Sequence, residues 1–180
     1  MKKLAIILLF TLSVIGCKKK DTNMVTSNFI SEKISRIATI VINGNVKEVF
    51  PLFGAFEERK WAPHWEPILI YPKKEIIEEG TTFKVKLHRH RSESESLWIV
   101  TKYNIQNHII QYLVSTNNRY WTITVKCTSN NENKTNASVT YTYIGLNEKG
   151  NELNKVSIDR MYKNDLKDWE NAMNEYLASK

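Results

Sequence analysis

The densest chemistry in the chain is the group Trp61, His64, Trp65 and Glu66. Two indoles and an imidazole so close together could line an aromatic mouth on which a flat molecule stacks. Histidine as a residue type exchanges protons near neutral pH, and Glu66 is a carboxylate two residues on from His64, so the pair has the types that general acid–base work needs. The same residues also fit a plainer arrangement, with the tryptophans sealing the edge of a core and His64 facing water. His88 and His90, with Glu93 or Glu95, form a second cluster of metal-ligand types. Two apart on an alternating run, the histidines share a face. That face also carries Lys84 and Lys86, the pattern of a solvated surface, and a third fixed ligand is lacking. No metal and no cofactor is expected. Arg89 has the parity of Phe83, Val85 and Leu87, so it could point inward and meet a ligand carboxylate; if the strand ends at Leu87, it is exposed instead. GxSxG, HExxH, phosphate-loop and CxxC motifs are absent from the sequence.

Such groups need elements to hold them. Ile34 to Ile42 is a β-rich run that predicts a first strand. Asn45 can cap a helix in which Val46, Val49, Phe50 and Phe53 recur at helical spacing, short or kinked near Pro51. Glu57 to Lys60 predicts a second short helix. Strand signals then follow at Ile68–Tyr71 with Glu75–Glu78, at Phe83–His90, Leu97–Tyr103, His108–Val114, Tyr120–Cys127 and Ala137–Ile144, with Ser129–Asn136 as a long polar loop. Hairpin spacing implies a mainly antiparallel sheet of six to seven strands. Alternation puts Trp98 and Tyr103 on opposite faces, and likewise Tyr120 and Trp121. Tyr112, Tyr141 and Tyr143 are further aromatic residues on the sheet, and tyrosine hydroxyls supply the few polar contacts an apolar pocket uses.

Past Gly150 the period changes. From about Leu153 apolar residues fall three, four and seven apart, through Tyr162, Leu166, Trp169 and Met173, which predicts one face of a single long helix. A curved sheet wrapped around that helix would bury the face, with Tyr162, Leu166 and Trp169 as a cavity wall or as plain core.

This order resembles the helix-grip fold of the START, birch-pollen-allergen and polyketide-cyclase superfamily, often called SRPBCC. VFPLFGAFEERKWAPHWEP resembles its first helices, EEGTTFKVKL its turn into the third strand, and WENAMNEYL the end of its long helix. The resemblance implies an α+β domain over residues 32–180, with a cavity between sheet and helix that takes a hydrophobic small molecule, lipid-like or aromatic. It places Trp61, His64 and Trp65 near one end of that cavity, with Arg89, Trp98, Tyr112, Tyr141, Tyr162, Leu166 and Trp169 as further candidates. It also leaves open a cyclase or hydrolase using His64, Glu66 or Arg89, and a ligand-free interaction domain. A binding protein is the expectation ahead of an enzyme.

The chain opens MKKLAIILLFTLSVIGCKKK. Lys2 and Lys3 precede an uncharged stretch from Leu4 to Gly16, too short to span a membrane but right for a secretory signal. Val14-Ile15-Gly16-Cys17 resembles a lipobox, which implies cleavage after residue 16 and lipidation of Cys17. Residues 1–16 are then a signal peptide and 17–31 a lipidated tether, holding the domain on a membrane of the bacterial envelope. Lys18 after the cysteine resembles the sorting pattern for the outer membrane. Cleavage removes two lysines, so 24 basic side chains face 19 acidic ones, a net +5. With no basic stripe among aromatics, no nucleic-acid partner is expected; a monomer is. Cys17 leaves Cys127 with no intrachain partner, and its place in TITVKC predicts a small buried hydrophobe.

Overall fold

A computed structural model describes residues 28–86 and 95–180. Cys17, the signal segment and the tether up to residue 27 lie outside these residues, as do His88, Arg89, His90 and Glu93.

Strand β1 (Lys33–Asn43) leads into α1 (Val46–Val49), which Asn45 caps by accepting from the Lys47 and Glu48 N–H groups. Pro51 sits in the first positions of the following 3₁₀ turn, Phe50–Phe53, where its missing N–H costs nothing. A second 3₁₀ turn covers Glu57–Lys60. Six strands follow: β2 (Ile68–Tyr71), β3 (Thr82–Lys86), β4 (Glu95–Asn104), β5 (Ile109–Ser115), β6 (Arg119–Asn131) and β7 (Lys134–Gly145). The chain ends in α2 (Glu148–Met161) and α3 (Lys167–Ala178). All seven strands form one curved antiparallel sheet in the order β1-β7-β6-β5-β4-β3-β2. The two C-terminal helices pack on its inner face, α2 over β7, β1 and β6, and α3 over β1. This is the expected helix-grip architecture.

One register runs across the inner face. Trp121 pairs with Tyr143, Ile123 with both Tyr141 and Tyr112, Val100 with Tyr112, and Phe83 with Trp98. These positions are buried or half-buried while their neighbours are more exposed, as a sheet wet on one side requires. The free edge of β1 is covered by side chains. Glu170 accepts from the Val41 N–H at 2.8 Å, Asn174 accepts from the Asn43 N–H at 2.7 Å, and Asn151 accepts from the Glu32 N–H at 3.0 Å. Closing an edge in this way removes a template for pairing with another chain.

Four expectations are corrected. Glu75–Glu78 is not a strand; the Thr81 hydroxyl donates to the Ile76 carbonyl and accepts from the Glu78 N–H, tying that segment into a turn. Ser129–Asn136 is not a long loop. Its backbone continues the β6–β7 ladder to the pair Asn131 and Lys134, because ladder bonds need no apolar side chains. Trp98 and Tyr103 share the inner face. A bulge between Val100 and Lys102 inserts one residue and reverses the alternation, so Tyr103 pairs with buried Ile110 and stacks on Phe50 at 5.7 Å.

The fourth correction concerns the long helix, which is two helices. Asp165 (φ 51°) and Leu166 (φ 62°) are left-handed and end the first helical course. Leu166 is fully buried there, so packing holds a conformation that a bulky side chain otherwise avoids. Gly150 does not precede α2 but lies in its first turn, after the Asn147 cap. A Cβ at Gly150 would stand 2.0 Å from the Asn118 carbonyl oxygen, so only glycine lets the helix start this close to the β5–β6 turn.

Candidate functional site

Between the inner face and the helices lies a cavity of about 430 Å³. The sheet gives it Trp98 from β4, Tyr112 from β5, Arg119, Trp121, Ile123 and Val125 from β6, and Tyr141 and Tyr143 from β7. The segment between β1 and β2 adds Phe53, Glu58 and Trp65, and the helices add Ser157, Arg160, Met161, Asp168 and Trp169. Arg160 and Asp168 are exposed, so the opening lies where α2 ends and α3 begins.

The segment over the cavity is fastened by three side chains. Tyr112 donates to the Phe53 carbonyl at 2.8 Å, Trp61 Nε1 to the Leu52 carbonyl at 2.8 Å, and Trp65 Nε1 to the Ala55 carbonyl at 2.6 Å. These bonds use three carbonyls of a stretch with no ladder partners, and so fix where the next turn puts Glu58. Trp65 and Trp98 meet edge to face at 5.2 Å, Trp98 and Tyr112 at 5.6 Å, and Phe83 stacks on Trp98 at 5.6 Å. Across the cavity Tyr141 and Tyr143 stack at 5.8 Å, and Tyr141 meets Trp169 at 6.4 Å.

Two ionisable groups stand out within this aromatic lining. Among the described residues no hydrogen bond or ion pair reaches the Glu58 carboxyl, and burial alone pushes it up to about 8. It is therefore a neutral acid at neutral pH, able to give or take a proton. Arg119 is buried beneath α2. It donates to Ser157 Oγ at 2.7 Å and to the Leu153 carbonyl at 3.0 Å, and its guanidinium lies over the rings of Trp121 (5.1 Å) and Tyr143 (5.7 Å). Burial raises the Tyr112 and Tyr141 hydroxyls well above the ordinary tyrosine value, so both act as neutral hydroxyls.

Of the residues singled out from sequence, Trp65, Trp98, Tyr112, Tyr141 and Trp169 come together on the cavity wall. Trp61 does not line it. Its indole is buried behind the wall, edge-on to Trp169 at 5.5 Å, with its N–H already spent on Leu52. His64 and Glu66 are exposed, off the wall and without a bond between them. His64 takes a left-handed φ of 63° just after Pro63. Tyr162 is off the wall too. Its hydroxyl accepts from the Tyr141 N–H at 3.1 Å and lies 2.8 and 2.9 Å from the Arg36 and Val139 carbonyls, a joint between β1 and β7. Leu166 is core. Glu95, a candidate ligand with the histidines, instead pairs with Lys84 on the outer face at 3.2 Å. Cys127 is buried, and burial drives its thiol up to about 12.

Sequence reading missed Glu58, Arg119, Trp121 and Tyr143 as site residues. Trp121 and Tyr143 were accessible from parity, as they lie two residues from Ile123 and Tyr141. Glu58 was hidden in the charged run EERK, which reads as solvated.

No family model matches the sequence, and no curated protein matches it either. Solved structures do match in fold. Norcoclaurine synthase from Thalictrum flavum superposes with a TM-score of 0.60 at 10% identity, covering 100% of both chains. The same synthase in complex with dopamine and hydroxybenzaldehyde gives 0.59 at 10%, covering 98% of each. An uncharacterised protein from Rhizobium leguminosarum gives 0.54 at 10%, covering 86% of this chain and 100% of that one. At these identities the likeness shows a shared helix-grip fold.

Proposed function

We propose that this protein is an envelope lipoprotein whose domain binds a mainly hydrophobic small molecule, lipid-like or aromatic, in the cavity between sheet and helices. The observation that carries the binding role is the cavity. At about 430 Å³, walled by aromatic rings with a few convergent polar groups, it has the size and lining of a small-molecule site. A protein of the same fold is known in complex with small aromatic molecules, which supports the same use here. The anchor rests on the sequence Val14-Ile15-Gly16-Cys17 after an uncharged signal-like stretch. Two or more acyl chains at Cys17 would hold the domain stably, where one chain would not.

Native mass spectrometry and lipid extraction of the mature chain, purified from membranes, test the binding role. A co-purifying apolar molecule is expected, and its loss on Trp98→Ala would place it in the cavity. A protein that carries nothing and takes up no apolar probe would overturn the reading. For the anchor, Cys17→Ala should leave the membrane fraction; a variant that stays there contradicts lipidation as the tether.

One observation favours a second reading, an enzyme. The Glu58 acid titrates near 8 inside the cavity, as a general acid–base group should. Turnover of a bound molecule that Glu58→Gln abolishes, with binding kept, would establish it.

A further inference from the structure

We infer that the cavity selects an aromatic amine: the ammonium group of the ligand pairs with the Glu58 carboxyl while its ring packs among Trp65, Trp98 and Tyr112. The inference rests on the binding role proposed above and names the ligand class.

Three observations point to a cation. The first is the carboxyl itself. It faces a cavity, enclosed by aromatic side chains, and no described residue offers it a donor. The residue is half-buried and its carboxyl opens onto the cavity, where desolvation disfavours the charged form and a ligand cation would offset that cost. The second is the nature of the walls. Indole and phenol faces attract cations, and a carboxylate among such rings adds the counter-charge. The third is that the same lining already holds one cation. The Arg119 guanidinium lies over Trp121 and Tyr143 at the α2 side of the cavity. That cation is engaged by Ser157 and Leu153, whereas the Glu58 side is not.

The charges facing the cavity make the exchange balance. Arg119 on β6 and Arg160 on α2 are positive, Asp168 on α3 is negative, and the nearby hydroxyls of Tyr112, Tyr141 and Tyr143 are neutral. The empty cavity keeps Glu58 protonated at neutral pH. An arriving ammonium keeps its three N–H bonds, the Glu58 O–H bond breaks, and that proton goes to solvent. One cation enters as one proton leaves, so the enclosed charge does not change.

Calorimetry on the mature full-length chain in lipid nanodiscs tests this, with empty nanodiscs as the blank. The probes are 1-naphthylmethylamine and its neutral counterpart 1-naphthylmethanol. The amine should bind roughly tenfold tighter, the scale of one charge-assisted hydrogen bond. Near pH 6.5, paired buffers of different ionisation heat should show about one proton released per amine bound and none for the alcohol, and the amine should tighten as pH rises towards 8. Glu58→Gln should abolish the proton release and bring the two probes to similar affinity. Proton release by the unaltered protein is a readout that does not depend on the variant folding. Equal binding of the two probes without proton exchange overturns the amine assignment and leaves the binding role standing. Failure of both probes to bind overturns both.

Discussion

The Tyr112 hydroxyl donates to the Phe53 carbonyl at 2.8 Å, joining the middle of the sheet to the segment that carries Glu58. Both groups are buried, so Tyr112→Phe leaves a carbonyl without a donor. Unfolding in urea should show a loss of about 1–3 kcal/mol. The cavity end of the segment loosens as well, so affinity for an apolar probe should fall. A variant of unchanged stability would show that Trp61 and Trp65 hold the segment unaided.

Glu58 makes stability depend on pH. Its carboxyl titrates at about 8 when folded, against 4.5 for an unperturbed glutamate. Between those values the folded state holds a proton that the unfolded state has lost. Its contribution is thus fully present below about pH 4.5 and is lost as pH rises through about 8. Denaturation at several pH values should show stability falling across this window by an amount on the order of a few kcal/mol. Glu58→Gln should remove most of that slope and be the more stable protein above pH 8. A slope unchanged in the variant would assign the effect to another group.

Asn154 and Asn151 are both buried on α2 and should respond in opposite senses. Neither amide atom of Asn154 has a partner among the described residues. Asn154→Leu keeps the volume, removes the unsatisfied atoms and should stabilise the fold by about 1 kcal/mol. Asn151 accepts from the Glu32 N–H and donates to the Ile30 carbonyl at 2.9 Å. Asn151→Leu should cost about 1–3 kcal/mol and free the start of β1. Thermal melts of the two variants give the signs directly.

The left-handed pair between α2 and α3 separates backbone from side-chain effects. Asp165 is exposed at φ 51°, so Asp165→Gly removes a conformational cost of about 1 kcal/mol and should be neutral or mildly stabilising. Leu166 is fully buried at φ 62°, and Leu166→Ala should cost about 2–5 kcal/mol. Equal losses from the two would mean that the break is not held by the Leu166 side chain.

Sheet parity made much of the fold and part of the wall legible in advance. Trp98, Tyr112, Tyr141 and Trp169 could be named because alternation and helical spacing report which face a residue joins; Trp65 stands out by residue type and by the family resemblance. Three features escaped for physical reasons. The β4 bulge shifts parity by one residue with no Gly or Pro to mark it, so simple alternation puts Tyr103 on the opposite face from the one it occupies. The α2–α3 break lies in a stretch that keeps its three-and-four spacing across Asp165 and Leu166, so periodicity alone extends the helix through it. His64 and Glu66 stand out by residue type, while Glu58 lies in the charged run EERK, which has the pattern of a solvated face. Which of several nearby carboxylates enters an apolar space is decided by the backbone path, and here hydrogen bonds from Tyr112, Trp61 and Trp65 set that path.

The composition of the cavity wall also gives the protein an optical reporter. Four of its five tryptophans, Trp65, Trp98, Trp121 and Trp169, line the cavity, and the fifth, Trp61, touches Trp169. Nearly all of the intrinsic fluorescence therefore originates at the binding space. Emission wavelength and quenching will follow occupancy without any label, and an unfilled protein should differ in colour from a filled one before the occupant has been identified.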